Sequence, residues 1–227
     1  RSRVAADGAD ARPGDDAGIL TSRPHAVWKD SCMKTYRDFE WLFRDYPWTE
    51  NGLHVTYVRD ATPAAVIEAM TVRDLGEFRG LQGINDIEWE EYSVVGAAAL
   101  GSWTIAIAPM AWAGSDDELM VPLSVGREVL THSRDVEAAS SFDLWQDGVH
   151  TVQFDPLFGS DAGLNPMPEG WQSRMREVGL DPDSEGPSPD GKFHIIEASF
   201  AMAANYTGVQ ITPDFLSTST FLAGSDD

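Results

Sequence analysis

Hydrophobic positions change period along this chain, and each change marks an element. "LHVTYV", Leu53 to Val58, alternates and is rich in β-branched residues, which predicts a strand. Thr62-Pro63 follows as an N-cap with proline at the first helical position, so "TPAAVIEAM" opens a helix. "EYSVVGAA" and "SWTIAIA" read as two strands joined at Leu100-Gly101. Alternation puts Trp103, Ile105 and Ile107 on one face. Burying a tryptophan of ~200 Å² is worth up to ~5 kcal/mol at ~25 cal/mol/Å², so Trp103 belongs to the core. Pro109 removes a ladder donor and ends or edges that strand. Trp112 then falls in the connection to a helix with Ser115 and Glu118 as a capping box, which Pro122 limits to about two turns.

"EVLTHSRDV", "SFDLW" and "VHTVQF" read as three more strands, the last two joined through Asp147-Gly148, a hairpin signal. Upstream, Thr35 caps a short helix carrying Phe39, Trp41, Leu42 and Phe43, which Pro47 stops. The stretch from Val72 to Trp89 holds Gly76, Gly80 and Gly83, shows no clear period and reads mostly as loop. Trp171, Met175 and Val178 stand at helical spacing before a C-cap at Gly179. Leu180 to Lys192 is acidic and rich in Pro and Gly, a loop outside any core. Phe193, Ile196, Phe200 and Ala204 mark one face of a helix ending near Gly208, and Thr212-Pro213 restarts a last helix. The expected class is therefore α+β: a mainly antiparallel sheet with short helices and a C-terminal helical hairpin.

Composition sharpens the domain boundary. The first 32 residues carry Trp28 as their one aromatic, have no periodicity, and balance five cations against five aspartates. They are expected to be a disordered or non-native leader, with a single domain spanning 33–227 and an acidic loop at 180–192. The formal charge of −21, from 16 Lys+Arg against 37 Asp+Glu, thus belongs to that domain. Such a field disfavours nucleic acid and anionic membrane and attracts basic partners. A lone Cys32 rules out an intramolecular disulfide, and no run approaches the ~18 apolar residues of a membrane span, so a cytoplasmic protein is expected.

No nucleophile elbow, P-loop, H-E-x-x-H or G-x-G-x-x-G occurs, and the five histidines have no ligand spacing among them. Ser124, His132 and Asp135 come nearest to a triad, but His132 and Asp135 fall three apart on one strand and so on opposite faces. Glu88, Glu90 and Glu91 could hold a hard cation, yet alternation on a solvated sheet face gives the same pattern. Asp116 and Asp117 fit a helix N-terminus, where negative charge is favoured. No metal or other cofactor is expected. Arg59, at the end of an apolar strand and before a turn, stands where α+β domains often carry functional side chains.

"HVTYVRDATPAAVIEAM", "WAGSDDELMVPLSVGREVLTHSRDVEAASSF", "VQFDPLFG", "MREVGLDPD" and "NYTGVQITPDFL" resemble, in that order, an actinobacterial family of uncharacterised proteins. Its members read T-F-V-R-G, G-W-x-G with L-S-x-G-T, F-D-P, V-G-L and T-G-V-x-[LI]-T-P, covering Leu53 to Leu222. The resemblance matches Thr56, Val58, Arg59, Trp112, Leu123, Ser124, Gly126, Phe154, Asp155, Pro156, Thr207, Gly208 and Thr212. It implies architecture and carries no established activity. Asp60 replaces the family's glycine, and Ala108, Met110 and Ala111 stand where members show glutamate, asparagine and glycine, which weighs against an enzyme. Two functions lead, ahead of a mimic of nucleic acid, which would need the acids in rows on one surface. The first is a non-enzymatic acidic interaction module, immunity or antitoxin-like, that binds a basic protein. The second is a small-molecule-binding protein or enzyme with a pocket near Arg59, Trp112 and Ser124.

Overall fold

The computed structural model describes residues 33–91, 93–110, 116–158, 167–184 and 186–226. The predicted leader, Trp112 and Ser115 lie outside the described residues. Eight strands form one sheet, every neighbouring pair antiparallel: β1 (Leu53–Arg59), β2 (Arg73–Arg79), β3 (Val94–Leu100), β4 (Trp103–Pro109), β5 (Glu128–Arg134), β6 (Ser140–Gln146), β7 (Val149–Phe154) and β8 (Thr220–Ser225). The spatial order is β2-β8-β3-β4-β1-β5-β6-β7. Among the described residues seven α-helices accompany it: α1 (Trp41–Asp45), α2 (Pro63–Met70), α3 (Gly80–Glu91), α4 (Asp117–Leu123), α5 (Glu169–Glu177), α6 (Ile195–Thr207) and α7 (Pro213–Thr218).

Both faces of the sheet are covered, so the clean apolar/polar alternation of a one-sided sheet is lost. One face sets Val55, Tyr57, Ile105, Ile107, Leu130 and Phe142 against α6, α5, α3 and α7. The other sets Val58, Ala106, Ala108, Val129 and Trp145 against α2 and α4. β1 near the middle is buried on both sides from Leu53 to Val58. The polar groups this entails are largely answered locally. Thr56 Oγ1 lies 2.9 Å from His54 Nε2, and the Thr104 hydroxyl donates to the Ala61 carbonyl. Burial holds His54 down at about 4 and His132 at about 3, so both are neutral.

Trp103, Ile105 and Ile107 form the core row expected of them, with the Trp103 indole donating to the Thr207 carbonyl at 3.1 Å. The β6–β7 turn has Asp147 at φ 51° and Gly148 at φ 78°, two positive values that match the right-handed twist of the strands. Thr62 caps α2 through the Ala65 N–H, while the cap of α4 is Asp116, which accepts from Glu118 N–H. Asp60 and Met110 have φ values of 50° and 64°. Glycine and asparagine are the residues most at ease in that conformation.

Three expectations are corrected. Residues 73–91 are an edge strand and a helix: Gly80 turns at φ 72°, where an added Cβ would lie 2.8 Å from the Ser217 carbonyl oxygen. That glycine serves a close approach, and the helical assignment removes the alternation that placed Glu88 and Glu90 on one face. The C-terminal helical hairpin does not form. After the six residues of α7 the chain enters β8, whose Phe221 and Ala223 fill the core between β2 and β3. Finally, the acidic loop after α5 contributes to the core through Leu180. Of the described helices, none is long and apolar enough to cross a membrane.

Gly96 tests how tightly the first face is packed, because a Cβ there would lie 2.7 Å from Ile84 Cγ1. Gly96→Ala is expected to lower the free energy of unfolding by about 1–3 kcal/mol, with part recovered in Gly96→Ala/Ile84→Val, as read by urea denaturation.

Candidate functional site

Beneath the end of α5 the chain folds into an open cleft of about 360 Å³. One wall is Pro156 and Leu157, just after β7. Another is Met175, Gly179 and Leu180 at the end of α5, and the rest comes from Asp181, Pro182, Ser184, Gly186–Pro189 and Phe193–Ile195. The F-D-P and V-G-L stretches of the sequence therefore meet here. Asp155 shapes the first wall by accepting the Leu157 N–H at 2.8 Å, and burial raises its pKa. Phe193 stands at the mouth, 53% exposed.

His194 is the polar centre of the cleft. It occupies the N-cap position of α6 and is 3% exposed. Its Nδ1 lies 3.1 Å from Glu197 Oε1, and its Nε2 lies 2.8 Å from Asp190 Oδ2. The ring of Tyr36 stacks on it at 4.3 Å and 18°. Tyr36 is fixed in turn by its N–H bond to the Val178 carbonyl and by its packing on Gly179, where a Cβ would lie 2.9 Å from the ring. Burial alone would lower the His194 pKa, but the two carboxylates outweigh it and raise it above 6.5. The hydrogen bond from His194 lowers Asp190, whereas burial raises Glu197. Glu197 Oε2 is buried without a hydrogen-bond partner.

The residues singled out from sequence lie elsewhere. Arg59 donates to Glu128 Oε2 at 2.6 Å and sits over the Trp103 ring, while Glu128 Oε1 accepts from Gln146 and from the Tyr206 hydroxyl. Ser124 is fully buried as the C-cap of α4, on the opposite side of the sheet; its hydroxyl donates to the Val121 carbonyl and accepts the Gly148 N–H. Arg59 and Ser124 are not brought together, and Trp112 is outside the described residues. The Ser124, His132, Asp135 set is likewise dispersed: His132 lies on Tyr57, Phe142 and Phe200, and Asp135 closes a turn onto the Glu137 and Ala139 N–H groups. Ala108 faces His54 in register, so a glutamate there would set a carboxylate beside that imidazole.

A second polar cluster lies on the α4 side. Asp143 is fully buried, with Oδ1 3.1 Å from His150 Nε2, and Trp145 stacks on His150 while donating its indole N–H to Asp117. Asp143 Oδ2 and Thr131 Oγ1, neighbours in register, have no hydrogen-bond partner. Among the described residues no group of three His, Cys, Asp or Glu could hold a metal ion. The cleft is the better candidate because it combines polar groups with space.

Because the folded state raises His194, its contribution to stability is full below pH 6.5 and is lost as pH rises through the raised value. The stability difference between the wild type and His194→Gln in urea denaturation is expected to shrink between about pH 5.5 and about pH 8.5. A difference that stays constant would show that the Asp190–His194–Glu197 contacts do not depend on the imidazolium.

No curated protein and no solved structure matches the chain. A family profile does match, over residues 32–225, and its description is a family of unknown function (DUF6461). The match takes in the sheet, both helical layers and every wall of the cleft, so this chain is a member of the DUF6461 family of unknown function.

Proposed function

We propose that the chain is an acidic, non-enzymatic binding module of the cytoplasm whose cleft beside His194 receives a cationic side chain of a basic protein partner. One observation carries the reading: the cleft joins apolar walls to carboxylates. Pro156, Leu157, Leu180 and Phe193 suit the methylene stem of a lysine or arginine, and its charged head suits Asp181 in the lining and Asp190, which is held against the lining residue His194. His194 is held by two carboxylates rather than by a hydroxyl nucleophile, which favours binding over acyl transfer. The charge of −21 steers a basic partner toward the surface and repels anions. An immunity or antitoxin-like role, in which a basic protein is masked, fits these properties.

The competing small-molecule pocket at Arg59, Trp112 and Ser124 draws its support from Arg59, which joins a polar network at the strand ends. Ser124 lends it less, because both its hydroxyl contacts close the turn after α4.

The test is a calorimetric titration with the peptide acetyl-Gly-Leu-Arg-Gly-amide and its neutral citrulline counterpart. At about 20 mM salt the arginine peptide is expected to bind at least ~10-fold tighter, with the gap narrowing at about 300 mM salt and after Asp181→Asn. Equal affinity of the two peptides at low salt would contradict the proposal.

A further inference from the structure

Resting on that reading, we infer that the cation enters the cleft in exchange for a proton. Its N–H groups bond to the Asp190 carboxylate and to the bare Nε2 of a neutral His194, and the proton of that nitrogen leaves for solvent. The ligand class is a protonated nitrogen with at least two N–H donors, a lysine ammonium or an arginine guanidinium.

The argument begins with hydrogen-bond inventory. Both ring nitrogens of His194 lie within hydrogen-bond distance of a carboxylate oxygen, Glu197 on one side and Asp190 on the other, an arrangement that favours the imidazolium, which donates from both. It already supplies the cation that the acidic cleft calls for, and a second positive charge beside it would be repelled. Loss of the Nε2 proton removes that repulsion and turns Nε2 into an acceptor.

The two contacts of His194 are unequal. Glu197 lies one turn along the same helix with its side chain 5% exposed, whereas the Asp190 side chain is 48% exposed on the loop. Glu197 Oε2 has no partner, so the contact from Nδ1 to Oε1 is what answers the buried carboxylate and is the one to persist. That fixes the tautomer, with the remaining proton on Nδ1 and Nε2 free to change partner. Tyr36, stacked on the ring, holds it in place through the exchange.

The other charged groups around the pair leave this balance intact. From the N-terminal segment, Arg37 sits over the Tyr36 ring and acts electrostatically on Asp190 and Glu40, and Glu40 adds negative potential at Glu197. From the loop, Asp181 lines the cleft, Arg176 bonds Asp183, and Lys192 gives its backbone N–H to Asp190 Oδ1. Asp155 stands behind the first wall on backbone N–H groups. One positive charge arrives and one leaves, so the net charge of the cleft is unchanged.

Calorimetry of acetyl-Gly-Leu-Arg-Gly-amide in pairs of buffers with different ionisation enthalpy reads the exchange directly. Proton release, at most one per peptide, is expected to be greater at about pH 6 than at about pH 8.5, with affinity rising by up to ~10-fold per pH unit below the His194 pKa. In His194→Gln the release and the pH dependence disappear. In the wild type, the His194 ring should titrate lower when peptide is bound, as followed by NMR of its ring carbons. Binding without proton release at pH 6, release that persists in His194→Gln, or an unchanged ring titration would overturn the exchange while leaving the cleft reading standing. Absence of binding at either pH would overturn both.

Discussion

Burial of the sheet on both faces is the constraint on which this fold depends. β1 near its middle has no solvent side, so His54, Thr56 and Tyr57 must find partners inside the protein, and they find them on their own strand or across it. The same requirement recruits a helical layer on each face. α6, with ten of its thirteen residues buried from Ile195 to Ala204, is the largest piece of that cover. Its N-terminus is therefore fixed by the core, and the cleft is built on that helix end.

Much of the fold was legible because local rules and tertiary needs agreed. The β-branched runs at Leu53–Val58 and Val149–Phe154, the Thr62-Pro63 cap and the Asp147-Gly148 turn each carry a backbone instruction readable in a few residues. Where packing overrode composition, the reading failed. Gly80 and Gly83 look like loop residues but allow close approach, Gly80 to the Ser217 carbonyl and Gly83 to Phe78. Thr220 to Ser225 follows a helix-start signal and is short, so nothing local announces a strand that completes the sheet. Its identity comes from pairing with β2 and β3.

The candidate site was the least visible part for a physical reason. Its walls come from a segment whose Pro, Gly and Asp content reads as solvent-exposed loop, and the burial of Leu180 and Pro182 cannot be inferred from that composition. One signal was present: His194 and Glu197 stand three apart across a helix start, the spacing that sets two side chains on one turn. Arg59 drew attention through its strand-end position and Ser124 through the triad-like set and the family resemblance, and each proved to be tied into its own surroundings. Asp60 and Met110 hold positive φ, so what is unusual at these two positions concerns the backbone. Ala108 pairs with His54 across the ladder.

The central claim is that this member of the family recognises a cation in the cleft between β7, α5 and α6. The most direct measurement is an amide chemical-shift map of the ¹⁵N-labelled protein titrated with acetyl-Gly-Leu-Arg-Gly-amide. The account predicts shifts concentrated at Leu157, Gly179–Ser184 and Gly186–Glu197, leaving out the prolines. Shifts centred instead on Arg59, Glu128 and Tyr206, or scattered evenly over the acidic surface, would contradict it.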